Sequence, residues 1–510
     1  MNTANYDAQY DAQYDIVILG AGLSGIGAAC RLNRAMPDKS YTVLERREAI
    51  GGTWDLFKYP GIRSDSDMTT FGYSFKPWKS PKLLADGPSI KAYVTEAAEE
   101  HNVIPNIRFK TEIEQVEWCS KAGRWTVTSK DIESGETTRI SAQFIVNGTG
   151  YYNHKKGYTP EFAGRDAFEG DIVHPQFWPE NLDYQGKNVV VIGSGATAVT
   201  LVPNMANKGA QVTMLQRSPT YVISVPEVDP VYVWMSKVMP VSWVFAISRV
   251  RNVLLGRALY NAAGRWPKMV RRFLLGGVKS RLKGKADMAD FEPRYNPWEQ
   301  RLCAVPNGDL FKAIVDGKAS VVTDGIETFD KTGIQLKSGK HLDADIIITA
   351  TGLELLAFGG AEVKVDGAPV AVNELMLYKG MMFEGVPNFL HINGYFNASW
   401  TLKADIVTDH FLRVVKHMDD SGADVVTANA GSAARNKPQK DNEPGYVLRG
   451  AHVRPMEGDK KPWAALGDYL SDAVQLKLGR VTHSALTYSR VESNETNNEI
   501  LESNVGVEAA

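Results

Sequence analysis

Two glycine loops of matched design carry the first chemistry legible in the chain: Gly20-Ala21-Gly22-Leu23-Ser24-Gly25 and Gly193-Ser194-Gly195-Ala196-Thr197-Ala198. Each sits between a short apolar β-type run and a helical pattern, the context in which a GxGxxG or GxGxxA loop binds a dinucleotide. Gly20 permits the tight turn, Gly22 lets a pyrophosphate touch the backbone, and Gly25 lets the helix pack against the strand. Gly193, Gly195 and Ala198 repeat those roles. Unpaired N–H groups at each helix start hold phosphate, and the Ser24 hydroxyl is placed to help; Ser194 and Thr197 are the polar side chains of the second loop. The strands that follow differ. The first ends Val43-Leu44-Glu45, an acid 20 residues past Gly25 that can accept hydrogen bonds from a ribose diol. The second ends Met214-Leu215-Gln216-Arg217, where no acid repels a 2′-phosphate and an arginine can pair with one. The first site is expected to prefer an unphosphorylated ribose and the second a phosphorylated one. FAD plus NADPH is the simplest such pair.

Directly after the first unit comes Gly51-Gly52-Thr53-Trp54-Asp55-Leu56-Phe57-Lys58-Tyr59-Pro60-Gly61-Ile62-Arg63-Ser64-Asp65. Paired glycines let the backbone pass close to something bulky and flat. Trp54 and Tyr59 offer flat apolar faces with a polar handle each. Pro60-Gly61 forces a turn that delivers Arg63 and Asp65. The stretch reads either as a surface loop with buried aromatics or as the wall of a cofactor site.

The elements that must position these residues follow from hydrophobic periodicity. Residues 1–14 are expected to be a flexible tail holding a Tyr-Asp-Ala-Gln repeat, with order beginning at Asp15. Ile16-Val17-Ile18-Leu19, Phe144-Ile145-Val146, Val189-Val190-Val191-Ile192 and Ile346-Ile347-Ile348 are continuous apolar runs, as buried parallel strands require. Gly148-Thr149-Gly150 and Ala350-Thr351-Gly352 end two of them in the same way, marking two crossings between nucleotide units. The expected fold is α/β: two Rossmann-type dinucleotide-binding domains and a helical insertion. FAD-binding parts are placed at 15–150 and 351–430, NADP-binding parts at 151–225 and 291–350, the insertion at 226–290 and a C-terminal segment at 431–510, its acidic, Asn-rich end disordered. Residues 386–400 read as a loop, with a long helix over 401–418. Within 226–290, residues 249–285 hold eleven Lys or Arg and no acid, interleaved with apolar residues. Such helices either pack on the protein, their basic face solvated or turned to cofactor phosphates, or lie on an anionic membrane surface.

Composition narrows the class. A net charge of −2 gives no field that would recruit nucleic acid. Cys30, Cys119 and Cys303 form no CxxC, which argues against a disulfide framework, a structural zinc site or a dithiol relay; no metal is expected. The N-terminus lacks the apolar core of a signal peptide and no apolar run is long enough to span a bilayer, so the expected setting is the cytoplasm.

Three motifs together resemble the type I Baeyer–Villiger monooxygenases, class B flavoproteins. Phe168-Glu169-Gly170-Asp171-Ile172-Val173-His174-Pro175-Gln176-Phe177-Trp178-Pro179 matches the F-x-G-x-x-x-H-x-x-x-W-P signature. Gly51 to Asp65 matches a second signature, GGxWxxxxYPGxxxD, and the two glycine loops flank the first as the family requires. Arg63-Ser64-Asp65-Ser66-Asp67-Met68, Trp298-Glu299-Gln300-Arg301-Leu302-Cys303 and Asn397-Ala398-Ser399-Trp400-Thr401-Leu402-Lys403 are similar to the thioamide-prodrug-activating subgroup. Leu353 after the ATG crossing departs from the cyclohexanone-type pattern, which puts a cyclic-ketone preference in doubt. The resemblance implies an NADPH- and O2-dependent enzyme that converts ketones to esters through a C4a-peroxyflavin, with sulfoxidation beside it. Linear aliphatic or aryl ketones are the substrates the subgroup suggests. It implies that Arg301 stabilises the anionic peroxide and that Asp65 orients Arg301. It places Thr53, Trp54, Arg63, Ser64 and Gly352 near the cofactors, with Val116 at the adenine side through its backbone. His174 and Trp178, with Phe168, Gly170 and Pro179, are implied to couple the inter-domain linker to NADPH binding. Two other readings compete: an N- or S-oxygenating flavin monooxygenase, and a non-catalytic flavoprotein at a membrane surface.

Overall fold

The computed structural model describes residues 10–491, apart from 301, 396–397, 437–444 and 465–466. Ile16, Val17, Ile18 and Leu19 are all buried: Ile16 and Ile18 face a helix-rich core, while Val17 and Leu19 face a core built with Trp118, Trp125 and Phe389, so the strand is covered on both faces. They belong to a nine-stranded sheet running Ala368–Pro369, Glu362–Val365, Thr111–Cys119, Arg124–Asp131, Thr137–Asn147, Ala12–Leu19, Tyr41–Leu44, Ile107–Arg108. The ninth strand, Phe389–His391, lies parallel to the far end of Thr137–Asn147, with Phe389 opposite Ile145. A second sheet of five strands runs Ala319–Thr323, Gln211–Gln216, Asn188–Ile192, Ile346–Thr349, Asp171–Val173, and every pairing in it is parallel. The α/β class with two Rossmann-type sheets is therefore the observed one.

Two readings of order need correction. The first strand begins at Ala12, not Asp15: Ala12, Gln13 and Tyr14 pair with Ile140, Ser141 and Ala142. Main-chain pairing needs no apolar period, so the last three residues of the polar repeat join the sheet; the earlier part of the tail, residues 1–9, and residues 492–510 lie outside the described residues. Residues 386–400 are not all loop, since Phe389–His391 is a buried strand too short to show a period. The two crossings also do more than connect. Tyr152–Gly157 and Leu353–Leu355, which follow them, pair antiparallel as a ribbon between the units.

The stretch 226–290 is helical. Asp229 caps Pro230–Met235 by accepting from the Val231 and Tyr232 amides, with proline where its missing N–H costs nothing. Val241–Arg265 and Pro267–Leu282 follow, divided at Trp266-Pro267. One shared carboxylate helps tie the insertion to the first unit. Asp405, on the Trp400–Ser421 helix, meets Arg31 of the Leu23–Ala35 helix at 2.8 Å and Arg249 of the Val241–Arg265 helix at 3.3 Å. It also accepts the Ser74 amide at 3.0 Å. Asp405, Arg31 and Arg249 are all buried. Burial alone would lower the Arg31 pKa, but Asp405 and Asp409 hold it above its ordinary value.

Candidate active site

The first glycine loop is built for close approach. Gly20 has φ +92°, and a side chain at Gly25 would begin 1.8 Å from the Gly20 carbonyl oxygen, so strand, turn and helix fit only without it. Gly22 and Gly52 face each other: a Cβ on Gly52 would stand 3.0 Å from the Gly22 Cα. Glu45 closes the loop from below, accepting the Ala21 amide at 2.7 Å and the Arg47 amide at 2.8 Å. Burial raises its pKa, with those two amides pulling the other way.

Around this loop a cavity opens towards the second sheet. Its wall takes Gly20, Gly22, Ser24 and Glu45 from the first unit, and Thr53, Trp54, Tyr59, Arg63, Ser64 and Asp65 from the stretch that follows. Thr197 of the second loop and the Gly148-Thr149-Gly150 crossing complete it. Trp54 meets Phe71 edge-on at 5.7 Å between centroids. The Trp400 indole N–H donates to the Ser24 hydroxyl at 2.8 Å. Arg63 bonds Asp309 at 2.6 Å, joining the stretch to the helix Asp309–Val315 beside the second sheet. Asp55 does not face a ligand; it binds Lys91 at 2.6 Å and Arg47. Burial opposes its ionisation, yet those two cations hold its pKa below the usual carboxylate value.

Several expected positions lie elsewhere. Arg301 lies outside the described residues; Cys303 and Ala304, close after it, line the cavity. Asp65 is exposed on the wall. Val116 is fully buried and points its strand's contribution elsewhere, whereas Thr111, Glu112 and Ile113 of the same strand line the cavity. The physical reason is distance: Val116 lies three residues beyond Ile113, about 10 Å along the strand, where it packs with Trp118, Trp125 and Val363. Gly193, Ser194, Gly195, Ala198, Gln216, Arg217 and Gly352 are not on this wall. Gly193 (φ +138°) packs against the Ala350 carbonyl as the turn glycine, and the Ser194 hydroxyl meets Thr220 at 2.9 Å. Ala198 is buried in the second core. Gln216 is not available to a nucleotide: it is buried, and its amide donates to the Asp290 carbonyl at 2.6 Å and the Thr323 hydroxyl at 2.8 Å. Arg217, the next residue, is exposed.

The linker signature forms a packed joint. Phe168 is buried under the second sheet, and a Cβ on Gly170 would sit 2.3 Å from the Asp345 carbonyl oxygen. His174 Nε2 donates to the Gly352 carbonyl at 3.2 Å while Nδ1 accepts the Gln176 amide at 3.2 Å. Burial lowers its pKa, so the ring is neutral with a fixed tautomer. Trp178 packs edge-on against Tyr184, and Pro179 opens the turn to Leu182. The sequence reading missed other wall residues, Tyr151, Tyr152, His154, Phe358, Tyr395 and Trp400. Only Trp400 had a signal, its place in the Asn397–Lys403 stretch. His154 is pushed down to about 4 by burial and by Arg46 and Arg47.

Two Rossmann-type sheets, one mixed and one all-parallel, each with a glycine loop, and a cavity reached by both loops define a two-nucleotide flavoprotein. The chain belongs to the flavin-binding monooxygenase-like family, whose profile matches residues 13–390. It is 51% identical over 464 residues to the putative FAD-containing monooxygenase MymA of Mycobacterium tuberculosis, covering 90% of this chain and 94% of that one. It is 48% identical over 479 residues to the FAD-containing monooxygenase EthA of the same organism, covering 93% and 97%. Among solved structures, oxidized steroid monooxygenase bound to NADP matches with a TM-score of 0.76 at 22% identity, covering 94% of this chain and 100% of that one.

Proposed function

We propose that this flavin monooxygenase uses NADPH, a proton and O2 to insert one oxygen atom beside a ketone carbonyl, giving an ester, NADP+ and water. The Gly51–Asp65 stretch on the cavity wall between both glycine loops carries this reading. FAD, once reduced by NADPH, supplies the activation of O2. The FAD-binding parts are assigned to 15–150 and 351–430 and the NADP-binding parts to 151–225 and 291–350. Glu45 keeps the first loop in shape through the Ala21 amide and offers its remaining acceptor capacity to a ribose diol. Arg217 is assigned to the 2′-phosphate of NADPH. Arg301 is assigned the positive charge that stabilises the anionic oxygen and then the adduct with the ketone, with Asp65 orienting it. Linear aliphatic or aryl ketones are the proposed substrates. The likeness of three stretches to the thioamide-activating subgroup favours a second reading, oxygen transfer to sulfur.

The test is NADPH consumption in air with product analysis, for a linear ketone and a thioether, in wild type and Arg301→Ala. The reading expects ester from the wild type and its loss in Arg301→Ala. Sulfoxide without ester would replace ketone oxidation by the second reading. Ester at full rate from Arg301→Ala would remove Arg301 from the chemistry.

A further inference from the structure

The Val241–Arg265 helix is apolar on two sides. Val244, Phe245 and Ser248 pack inward. Away from them, Trp243, Ile247, Val250 and Leu254 are 66, 43, 60 and 50% exposed. They succeed one another at steps of four, three and four residues, the spacing of one stripe along a helix. The pattern continues at both ends, with Trp234 and Val238 before the helix and Trp266, Met269 and Phe273 after it, each more than half exposed. Single apolar side chains are ordinary on a protein surface, but an aligned series containing indole and phenyl rings marks an interaction face. None of these residues lies on the cavity wall, so the proposed catalysis leaves them unexplained.

Charge indicates what covers the face. Residues 249–285 hold eleven Lys or Arg and no Asp or Glu. Some are spent on the protein: Arg249 donates to the Thr69 and Gly72 carbonyls at 2.9 and 2.7 Å, and Arg271 to the Pro293 carbonyl at 2.6 Å. Lys268, Arg272 and Lys279 are exposed on the helix that also exposes Met269 and Phe273. A second copy of the chain docking through this face about a two-fold axis would bring two copies of the same basic surface together, with no acid between residues 249 and 285 to neutralise them. An anionic lipid surface satisfies both halves of the pattern. Apolar rings enter the headgroup–acyl boundary while lysine and arginine stay at phosphate level. No helix among the described residues is long and apolar enough to cross a bilayer, so the helices lie in the interface plane. We propose that the exposed face of residues 231–285 docks the enzyme on anionic membranes.

The experiment is co-sedimentation of the full-length, flavin-loaded protein with vesicles of phosphatidylcholine, with or without phosphatidylglycerol. The proposal expects wild type to pellet with the anionic vesicles and less with neutral ones. Replacing Trp243, Ile247 and Leu254 together by serine should lower partitioning by at least about tenfold, because area and charge act jointly. Replacing Lys268, Arg272 and Lys279 by alanine should abolish the preference for phosphatidylglycerol. Both variants should retain flavin absorbance, since none of these side chains is buried. Quenching of wild-type tryptophan emission by brominated acyl chains reads insertion without any variant. Wild type left in the supernatant, or a serine variant that pellets as well as wild type, would overturn the proposal. So would a wild-type dimer that the serine changes split with no vesicle binding, which would make the face a contact between copies.

Discussion

Replacing Asp405 by alanine removes the one carboxylate that serves two buried arginines from different helices. Arg31 keeps Asp409, whose side chain is 42% exposed, but Arg249 loses its only carboxylate among the described contacts. Removing one partner of a buried ion pair costs about 3–5 kcal/mol, because the remaining charge stays desolvated. The Ser74 amide loses its acceptor in the same step. Unfolding entropy near 60 °C is about 2.1 cal/mol/K per residue, or about 1 kcal/mol/K for a chain of 510 residues. The expected fall in melting temperature is therefore about 3–5 °C. Asp409→Ala takes away a half-solvated partner and should cost about 1 °C or less. Arg249→Met withdraws the charge that Asp405 balances but also the donor to the Thr69 and Gly72 carbonyls, so Asp405→Ala and Arg249→Met together should cost less than the sum of the two single changes. The assay is flavin release on heating, followed by FAD fluorescence at one scan rate. Equal shifts for Asp405→Ala and Asp409→Ala, or losses for Asp405→Ala and Arg249→Met that simply add, would refute the argument that burial sets the cost.

Gly25→Ala should give protein without flavin or insoluble protein, because its Cβ would begin 1.8 Å from a backbone oxygen that cannot move alone; soluble yellow protein would contradict the packing described. Trp400→Phe removes the donor to the Ser24 hydroxyl, so FAD should dissociate about five- to tenfold more readily, worth about 1 kcal/mol, with fluorescence titration of the apoprotein as the check. His391 and His410 are each pushed down to about 4, by burial first and then by Lys403 and by Lys379 and Arg413 respectively. The unfolded chain takes up these protons as pH falls below about 6.5, and the folded chain does not until about 4. Stability is then present above pH 6.5 and lost as pH falls from about 6.5 to about 4, by up to about 1.4 kcal/mol per pH unit for each histidine. Thermal midpoints across that window should fall less steeply for His391→Gln, and an unchanged slope would count against the assignment.

Much of the site was legible because nucleotide loops are written in small residues at fixed steps. Gly20, Gly25 and Gly193 sit where the chain permits no side chain, and glycine at such points survives as a pattern in any sequence. Glu45 was legible for a similar reason, at the end of a strand whose length is set by the sheet. What failed depended on the face a side chain takes. Gln216 and Arg217 are adjacent in sequence, yet one is buried against Asp290 and Thr323 and the other is exposed; a strand alternates its faces, and nothing local says which phase holds. Val116 was placed three residues too far along its strand, because periodicity does not say how much of a strand reaches the cavity. The Phe389–His391 strand and the Tyr152–Gly157 ribbon are short and owe their state to partners distant in the chain, which local propensity cannot supply.

The Phe389–His391 strand also fixes a timetable. The far end of Thr137–Asn147, just before the Gly148-Thr149-Gly150 crossing, is flanked on one side by Val17, Ile18 and Leu19 and on the other by Phe389–His391. The whole five-stranded sheet and the helical insertion are encoded between those two neighbours. At about 5–20 residues per second, a ribosome takes on the order of tens of seconds to cross that interval. Throughout it the second sheet can close while Ile145, Val146 and Asn147 present an unpaired backbone edge, the kind of edge that recruits foreign strands. A nascent chain stalled before Phe389 thus carries a finished nucleotide unit beside an unfinished one, and this edge is where chaperone capture or aggregation would begin.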